Sequence, residues 1–150
     1  MDNDDKDLPT DEVLNALDNL DNDANSYLLD MTTNKMEKIK KEILEGLHLP
    51  KMLVQEYLDK LKDYIYLDEM QHLKNGSFIR YIPVTDPEYL PLNSGGILCE
   101  IKVLDDGLSL VCKKPGPVKR HFQIKFDEHL IFQKLTKQEL ILLKTMDYLS

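Results

Sequence analysis

The spacing of apolar residues changes once along the chain, from a helical period to a strict alternation. Between residues 34 and 75 apolar residues recur every three to four positions, which places them on one face of a helix. A first helix is predicted from the N-cap Asn34 to about Gly46, with Met36, Ile39, Ile43, Leu44 and Leu47 on its apolar face. A second is predicted from Pro50, with an apolar face of Leu53, Val54, Tyr57, Leu58, Leu61, Tyr64 and Ile65. A short helical turn is expected at 68–73, before Asn75-Gly76.

From residue 78 the apolar residues alternate with polar ones, as in strands that bury one face. Five strands are predicted, at 78–84, 97–104, 108–112, 118–126 and 130–135. Asp106-Gly107 predicts a tight hairpin turn, in which Val103 faces Leu110 and Ile101 faces Cys112. Residues 86–96, which end in Gly95-Gly96, predict a long loop.

Thr136 and Glu139 have the spacing of a capping box and predict a last helix to Tyr148. The elements together predict one α+β domain over 34–150, helical at 34–75, β at 76–135 and helical again at 136–149. Five short antiparallel strands favour an SH3-like barrel or a strongly bent sheet. The length of 150 residues suits a single domain. No apolar run reaches eighteen residues, so no membrane span is expected.

Charge is distributed unevenly along the chain. Residues 1–31 hold ten acids and one base, whereas the remaining 119 residues hold 17 acids and 18 bases. This density of Asp and Asn predicts that residues 1–33 form an acidic, largely disordered tail. Within it, Thr10 predicts the start of a short helix over 11–20, whose apolar stripe comprises Val13, Leu14, Leu17 and Leu20. Such a short helix is marginal alone, so it is expected to fold against a partner or against its own domain.

The sequence lacks the common motifs for catalysis and for binding cofactors or metals. The sequence has no phosphate-binding glycine loop, no nucleophile elbow and no close Cys or His pairs of the kind that bind zinc. Cys99 and Cys112 are predicted to face inward as thiols, and a polar, acidic N-terminus with two cysteines favours a reducing intracellular compartment. We therefore expect no cofactor and no metal, and the absence of motifs favours, without requiring, a non-enzymatic protein.

One cluster of basic residues stands out on the predicted hairpin at 113–125. This segment contains no acid and five cations, which are Lys113, Lys114, Lys119, Arg120 and Lys125. Pro115-Gly116-Pro117 predicts that the hairpin is bent and protrudes. Such a surface suits a phosphate backbone, an acidic protein partner or the chain's own acidic tail. It is also typical of a solvated strand that uses lysine to prevent edge pairing.

Arg80 is a single charge within an apolar strand segment, Phe78-Ile79-Arg80-Tyr81-Ile82. Two interpretations remain open. The side chain points to solvent or stacks on a nearby tyrosine, or it anchors the carboxylate or phosphate of a ligand beside the loop at 85–95.

Residues 73–134 carry a resemblance to one group of proteins. The segments LKNGSFIRYI at 73–82, LNSGGIL at 92–98, FQIKF at 122–126 and LIFQK at 130–134 resemble small uncharacterised proteins encoded by large nucleocytoplasmic DNA viruses. The resemblance implies a virion or viral-factory component and no particular catalytic residues.

The sequence thus predicts a non-enzymatic protein–protein interaction module, structural or adaptor in a larger assembly. The assembly would be viral if the resemblance holds. The alternative function is a nucleic-acid-binding accessory factor that uses the hairpin at 113–125.

Overall fold

The computed structural model describes residues 10–18 and 27–150. Within this part, four α-helices are formed: α1 (Thr10–Asp18), α2 (Thr33–Glu45), α3 (Lys51–Lys60) and α4 (Lys137–Leu149). Six strands are formed: β1 (Tyr64–Leu67), β2 (Phe78–Pro83), β3 (Asn93–Leu104), β4 (Gly107–Lys113), β5 (His121–Lys125) and β6 (His129–Lys134). Short 3₁₀ turns lie at Met70–His72 and Phe126–Glu128. None of these described helices combines the length and apolar character needed to cross a membrane.

All six strands belong to one antiparallel sheet with the order β1-β6-β2-β3-β4-β5. The predicted α+β class is therefore confirmed. The five-stranded SH3-like barrel is not confirmed, because the sheet has a sixth strand and is open, with β1 and β5 at its two edges. The last strand in the chain, β6, inserts between β1 and β2, and this pairing over a long sequence distance leaves no local signal.

The prediction that residues 34–75 are helical throughout is wrong at β1. The chain leaves α3 through Leu61, and Asp63 adopts a left-handed backbone with φ of 65°, a conformation that aspartate tolerates better than most residues. Tyr64–Leu67 then pairs with β6 and is buried on both faces. A strand buried on both faces shows a continuous apolar run, which periodicity does not distinguish from the end of a buried helix.

Two further predictions, the position of the turn and the register of the strands, are wrong in the β3–β4 hairpin. Its turn lies at Asp105-Asp106 rather than Asp106-Gly107, so Val103 pairs with Leu108 and Ile101 pairs with Leu110. The pairing differs from the predicted one by two residues, which keeps every side chain on the same face, and apolar alternation does not detect such an error. A glycine is still required, because Gly107 has a φ of 123°.

A β-bulge between Leu98 and Glu100 overturns the prediction that Cys99 faces inward. The extra residue interrupts the alternation, so Leu98 is buried and Cys99 is exposed. Val103, predicted on the same inward face, is 78% exposed. Cys112, on β4 where the alternation is regular, is buried as predicted.

The two ends of the sheet are buried to different extents. Alternate residues of β1, β2 and β6 belong to two separate apolar clusters, so that end is covered on both faces. One cluster contains Leu142 and Leu143 of α4, and the other contains Val54 and Tyr57 of α3. At the other end, β5 alternates between buried or half-buried and exposed residues. The inner face of β5 therefore packs on the core through Ile124, and its other face is exposed.

The N-terminal part of the described chain packs on this body. α1 begins at Thr10, close to the predicted start, and lies against α4. Leu28 is fully buried in the core, and Thr32, not Asn34, caps α2 by accepting a hydrogen bond from the backbone of Lys35. The segment assigned by sequence to the tail, residues 1–33, thus includes residues that pack in the core, and the predicted boundary at 33 lies inside the folded body.

A buried polar network joins α4 to three other parts of the chain. The carboxylate of Glu139 accepts hydrogen bonds from the Tyr27 hydroxyl, from Lys74 Nζ at 2.8 Å and from the Thr136 backbone N–H at 2.9 Å. The last of these, with the Glu139 N–H donated to Thr136 Oγ1, is the predicted capping box. The fully buried Gln133 of β6 accepts from the Lys74 N–H at 2.9 Å. Helix, sheet and N-terminal segment are thereby fixed to one another.

Burial, charge and hydrogen bonding in this network shift two pKa values in opposite directions. Burial alone would raise the pKa of Glu139, but the hydrogen bonds from Lys74, Thr136 and Tyr27 outweigh it and hold that pKa below its usual value. Burial, and then the negative charge of Glu139, raise the pKa of Tyr27 well above its ordinary range. At neutral pH the network therefore contains an ionised Glu139 and a neutral Tyr27.

Glu139→Gln is expected to lower the free energy of unfolding by about 3 kcal/mol, because it removes the buried carboxylate to which Lys74 and Tyr27 donate hydrogen bonds. Urea denaturation at pH 7 measures this change. Glu42→Gln on the exposed face of α2 is the matched control and should change stability by less than about 0.5 kcal/mol.

The same variant tests the sign of the pH dependence. Because the folded-state pKa of Glu139 is depressed, its stabilisation is complete above its unfolded pKa, at roughly pH 5 and higher, and is lost as the pH falls through the folded pKa. The stability difference between wild type and Glu139→Gln should therefore shrink on acidification. A difference that grows as the pH falls would contradict the assignment.

Candidate functional site

The basic hairpin, residues 113–125, lies at the exposed end of the sheet. It consists of the end of β4, a loop and strand β5, and the loop is closed by a hydrogen bond from the Lys114 N–H to the Arg120 carbonyl at 2.9 Å. The predicted strand at 118–126 begins only at His121, because Val118 belongs to the exposed loop that follows Pro117. Every residue from Lys114 to His121 is exposed.

The five cations of the basic hairpin have different surroundings. Lys113 is half-buried, and Lys114 Nζ lies 5.7 Å from the centre of the Phe122 ring. Lys125 Nζ forms an ion pair with Asp106 of the neighbouring turn, at 2.6 Å. Lys119 and Arg120 are exposed, and neither forms an ion pair with another residue in the described part of the chain. These two side chains are therefore available to a partner.

The pair formed by Lys125 and Asp106 shifts both pKa values. The hydrogen bond and charge of Lys125 lower the pKa of the Asp106 carboxyl, and the hydrogen bond and charge of Asp106 raise the pKa of Lys125. Both groups are exposed to solvent, so the pair adds little to stability. Its effect is to neutralise one of the hairpin's five positive charges.

Strand β5 forms an edge of the sheet. The pairing of β3 and β4 determines which β5 residues direct their backbone groups toward β4 and which direct them outward. The Leu98 N–H donates to the Ser77 carbonyl, and the Leu98 carbonyl accepts from the Gly76 N–H, so both backbone groups of Leu98 point away from β4. Its register partner Cys112 therefore directs its own backbone groups to β5, where it pairs with Phe122. Phe122 and Ile124 thus bond to β4, while the intervening His121, Gln123 and Lys125 direct their backbone groups outward.

Most of these outward groups have no hydrogen-bond partner among the described residues. The exception is the Lys125 carbonyl, which contacts His129 Nδ1 at 2.6 Å. The outward edge therefore offers the N–H and carbonyl groups of His121 and Gln123 and the N–H of Lys125. Unpaired groups of this kind are a template for another extended chain.

The opposite edge of the sheet is closed. β1 is almost fully buried, with Tyr64, Ile65 and Leu67 each less than a tenth exposed, and it contacts α2. In the described structure the two edges therefore differ. The helix and the core cover β1, whereas the outer edge of β5, a strand of the basic hairpin, is open.

Arg80 is held by backbone carbonyls. Its Nε donates to the Asn93 carbonyl at 3.1 Å, and its Nη1 reaches the Lys60 carbonyl at 3.5 Å. Burial raises the pKa of the nearby Tyr64, and the charge of Arg80 opposes that shift. The guanidinium joins β2 to the start of β3 and the end of α3, and its role as a ligand anchor stays a prediction.

The apolar stripe predicted for the N-terminal helix is only partly within the described structure. Leu14 on α1 is 54% exposed, whereas the side chains of Val13 and Leu17, and all of Leu20, lie outside the described part. α1 contacts α4 through an ion pair between Glu12 and Lys137 at 3.4 Å. An open cleft of about 240 Å³ lies between these helices, lined by Glu12, Asn15, Lys137, Gln138 and Ile141.

The thiols and potential metal ligands add no further site among residues 10–18 and 27–150. No group of three or more His, Cys, Asp or Glu side chains there could hold a metal ion. Burial, with a smaller contribution from Cys99, raises the pKa of Cys112 to about 12, so this thiol is protonated at neutral pH.

Two features of this site were not predicted from the sequence. One is the open edge of β5, and the other is the ion pair between Lys125 and Asp106. Asp106 belongs to a turn, and only the three-dimensional register brings it to Lys125. Comparison with known proteins adds no relative, since no protein-family model, curated protein or solved structure matches the chain. The candidate site is therefore defined by its own geometry: a basic hairpin whose strand β5 forms a sheet edge that pairs with no other strand among the described residues.

Asp106→Asn is expected to return the pKa of Lys125 toward its ordinary value, which means a downward shift, because it removes the nearest negative charge. NMR titration of the lysine side-chain nitrogens measures the shift. Asp105→Asn, at the adjacent exposed turn position, is the control and should leave Lys125 nearly unchanged. An unshifted Lys125 in Asp106→Asn would show that the ion pair does not persist in solution.

Proposed function

We propose that this protein is a non-enzymatic, intracellular protein–protein interaction module that binds an acidic surface of a partner through its basic hairpin. It would serve as a structural or adaptor component of a larger assembly, and a viral one if the resemblance of residues 73–134 holds. The observation that carries the proposal is the exposure of Lys119 and Arg120 without intramolecular counter-charges in the described part of the chain.

Exposed cations that form no ion pair within the described structure favour association in two ways. They attract an acidic partner over several ångströms, which raises the association rate, and they disfavour basic partners. The positive charge is local, since the 119 residues after residue 31 are nearly neutral in sum. A small basic surface on a near-neutral body provides orientation as well as attraction.

The surroundings of the hairpin favour a protein over a nucleic acid as its partner. Exposed acids lie at its Lys125 end, namely Asp105, Asp106, Asp127 and Glu128. Asp106 already neutralises Lys125. Strong nucleic-acid binders commonly neutralise about six to ten phosphates, and a continuous phosphate backbone would meet these acids. A nucleic-acid-binding accessory factor remains the second candidate, because Lys119 and Arg120 suit phosphates as well as carboxylates.

We propose α1 as a second contact with the same assembly. Its exposed Leu14 offers an apolar side chain beside the acids of its first turn, Asp11 and Glu12. Its described contacts with α4 include a single, largely exposed ion pair, which contributes little to holding the helix in place.

The test of the proposal is reversal of both free charges, Lys119→Glu with Arg120→Glu. The probe is a fluorescein-labelled peptide of twelve glutamates, titrated at low salt by fluorescence anisotropy. We expect the double variant to bind at least about tenfold more weakly than wild type, because two attractive contacts become repulsive. Raising the salt concentration should weaken the wild-type complex.

The matched control reverses two exposed lysines of α2, Lys38→Glu with Lys41→Glu. It changes net charge equally and should bind the peptide within about threefold of wild type. Equal loss in both double variants would show that net charge alone is responsible and would contradict the proposal. Binding of a DNA duplex in preference to the peptide, abolished by the hairpin variant, would favour the second candidate.

A further inference from the structure

We propose that β5 binds an extended acidic segment of a partner protein as a seventh strand of the sheet. This inference rests on the proposed function and specifies how the same surface would recognise its partner. The observation behind it is the coincidence of two features at one place: an open strand edge and a set of cations that flank it.

The backbone geometry provides the first part of the argument. Along β5 the outward groups are the N–H and carbonyl of His121, the N–H and carbonyl of Gln123, and the N–H of Lys125. They recur at every second residue, as the pairing of an added strand requires. β5 contains no proline and no bulge against β4, so its edge is regular.

The side chains specify the chemistry of the added strand. His121, Gln123 and Lys125 lie on the exposed face of β5, and the half-buried Phe122 lies on the other face. Lys119 and Arg120 precede the strand. An incoming segment that alternates acidic and apolar residues would place its carboxylates beside the cations and its apolar side chains beside Phe122.

Charge favours an acidic segment of a partner as the occupant, because Lys119 and Arg120 form no ion pair in the described structure and a partner's carboxylates would pair with both. A second copy of this chain is the other outcome of the test: a wild-type dimer in sedimentation, formed without any peptide and dissociated by Gln123→Pro, would overturn the inference. Lysines that protect an edge against ordinary strands favour an acidic one.

The experiment separates backbone pairing from charge. Gln123→Pro removes the outward N–H without affecting a hydrogen bond to β4, and proline is tolerated at edge positions of this kind. The probe is a fluorescein-labelled seven-residue peptide in which four glutamates alternate with three valines. We expect Gln123→Pro to bind it at least about tenfold more weakly than wild type, while Gln123→Ala, which keeps the N–H, binds within about twofold.

A second peptide keeps the readout valid if Gln123→Pro fails to fold. It has the same sequence, but the backbone nitrogen of its third residue is methylated; this glutamate would lie opposite an outward-bonding residue of β5, so the peptide keeps its charge and cannot donate that hydrogen bond. Wild-type protein should bind it at least about tenfold more weakly than the alternating peptide. Equal affinity for the two peptides would overturn strand addition.

The outcomes distinguish this inference from the proposed function. If neither Gln123→Pro nor the N-methylation of the peptide has an effect but Lys119→Glu with Arg120→Glu abolishes binding, the added strand is wrong and the acidic-partner function stands. If wild-type protein binds neither peptide, both are overturned. Tighter binding of single-stranded DNA than of the alternating peptide would also overturn the inference, since the edge would then serve a different class of ligand.

Discussion

Backbone hydrogen bonding at the edges of the sheet is the constraint on which this account depends. An open sheet has two edges, and each must be covered, blocked or paired. Here β1 is buried and contacts α2, while β5 keeps outward N–H and carbonyl groups at His121 and Gln123. Packing therefore covers one edge, whereas no residue of the described structure pairs with the other, which carries charged side chains.

The rest of the fold holds the β5 edge in place. The helices cover the β1, β6 and β2 end on both faces, and the network around Glu139 fixes α4 to Lys74 and Tyr27. β5 pairs with β4, buries Ile124 in the core and is joined to β6 by the three-residue turn at Phe126–Glu128. An edge held in this way loses little conformational entropy when another strand pairs with it, which favours binding by an extended segment.

The sequence predicts well those features that depend on local spacing. The capping box of Thr136 and Glu139, the α+β class and the burial of Cys112 all follow from neighbours in the chain. The sequence does not predict features that depend on pairing between strands far apart in the chain. Tyr64–Leu67 looks like helix because it is buried on both faces, Cys99 is turned outward by a bulge, and the insertion of β6 beside β1 leaves no local signal. For the site, sequence identified the cations but not the open edge.

Amide hydrogen exchange of the uniformly ¹⁵N-labelled full chain, without any ligand, tests the central claim most directly. The account predicts slow exchange at Phe122 and Ile124, whose N–H groups bond to β4, and exchange close to unfolded-chain rates at His121 and Gln123. Strong protection of His121 and Gln123 in the free protein would mean that the edge is already occupied, by the chain's own acidic residues or by a second copy, and would contradict the account.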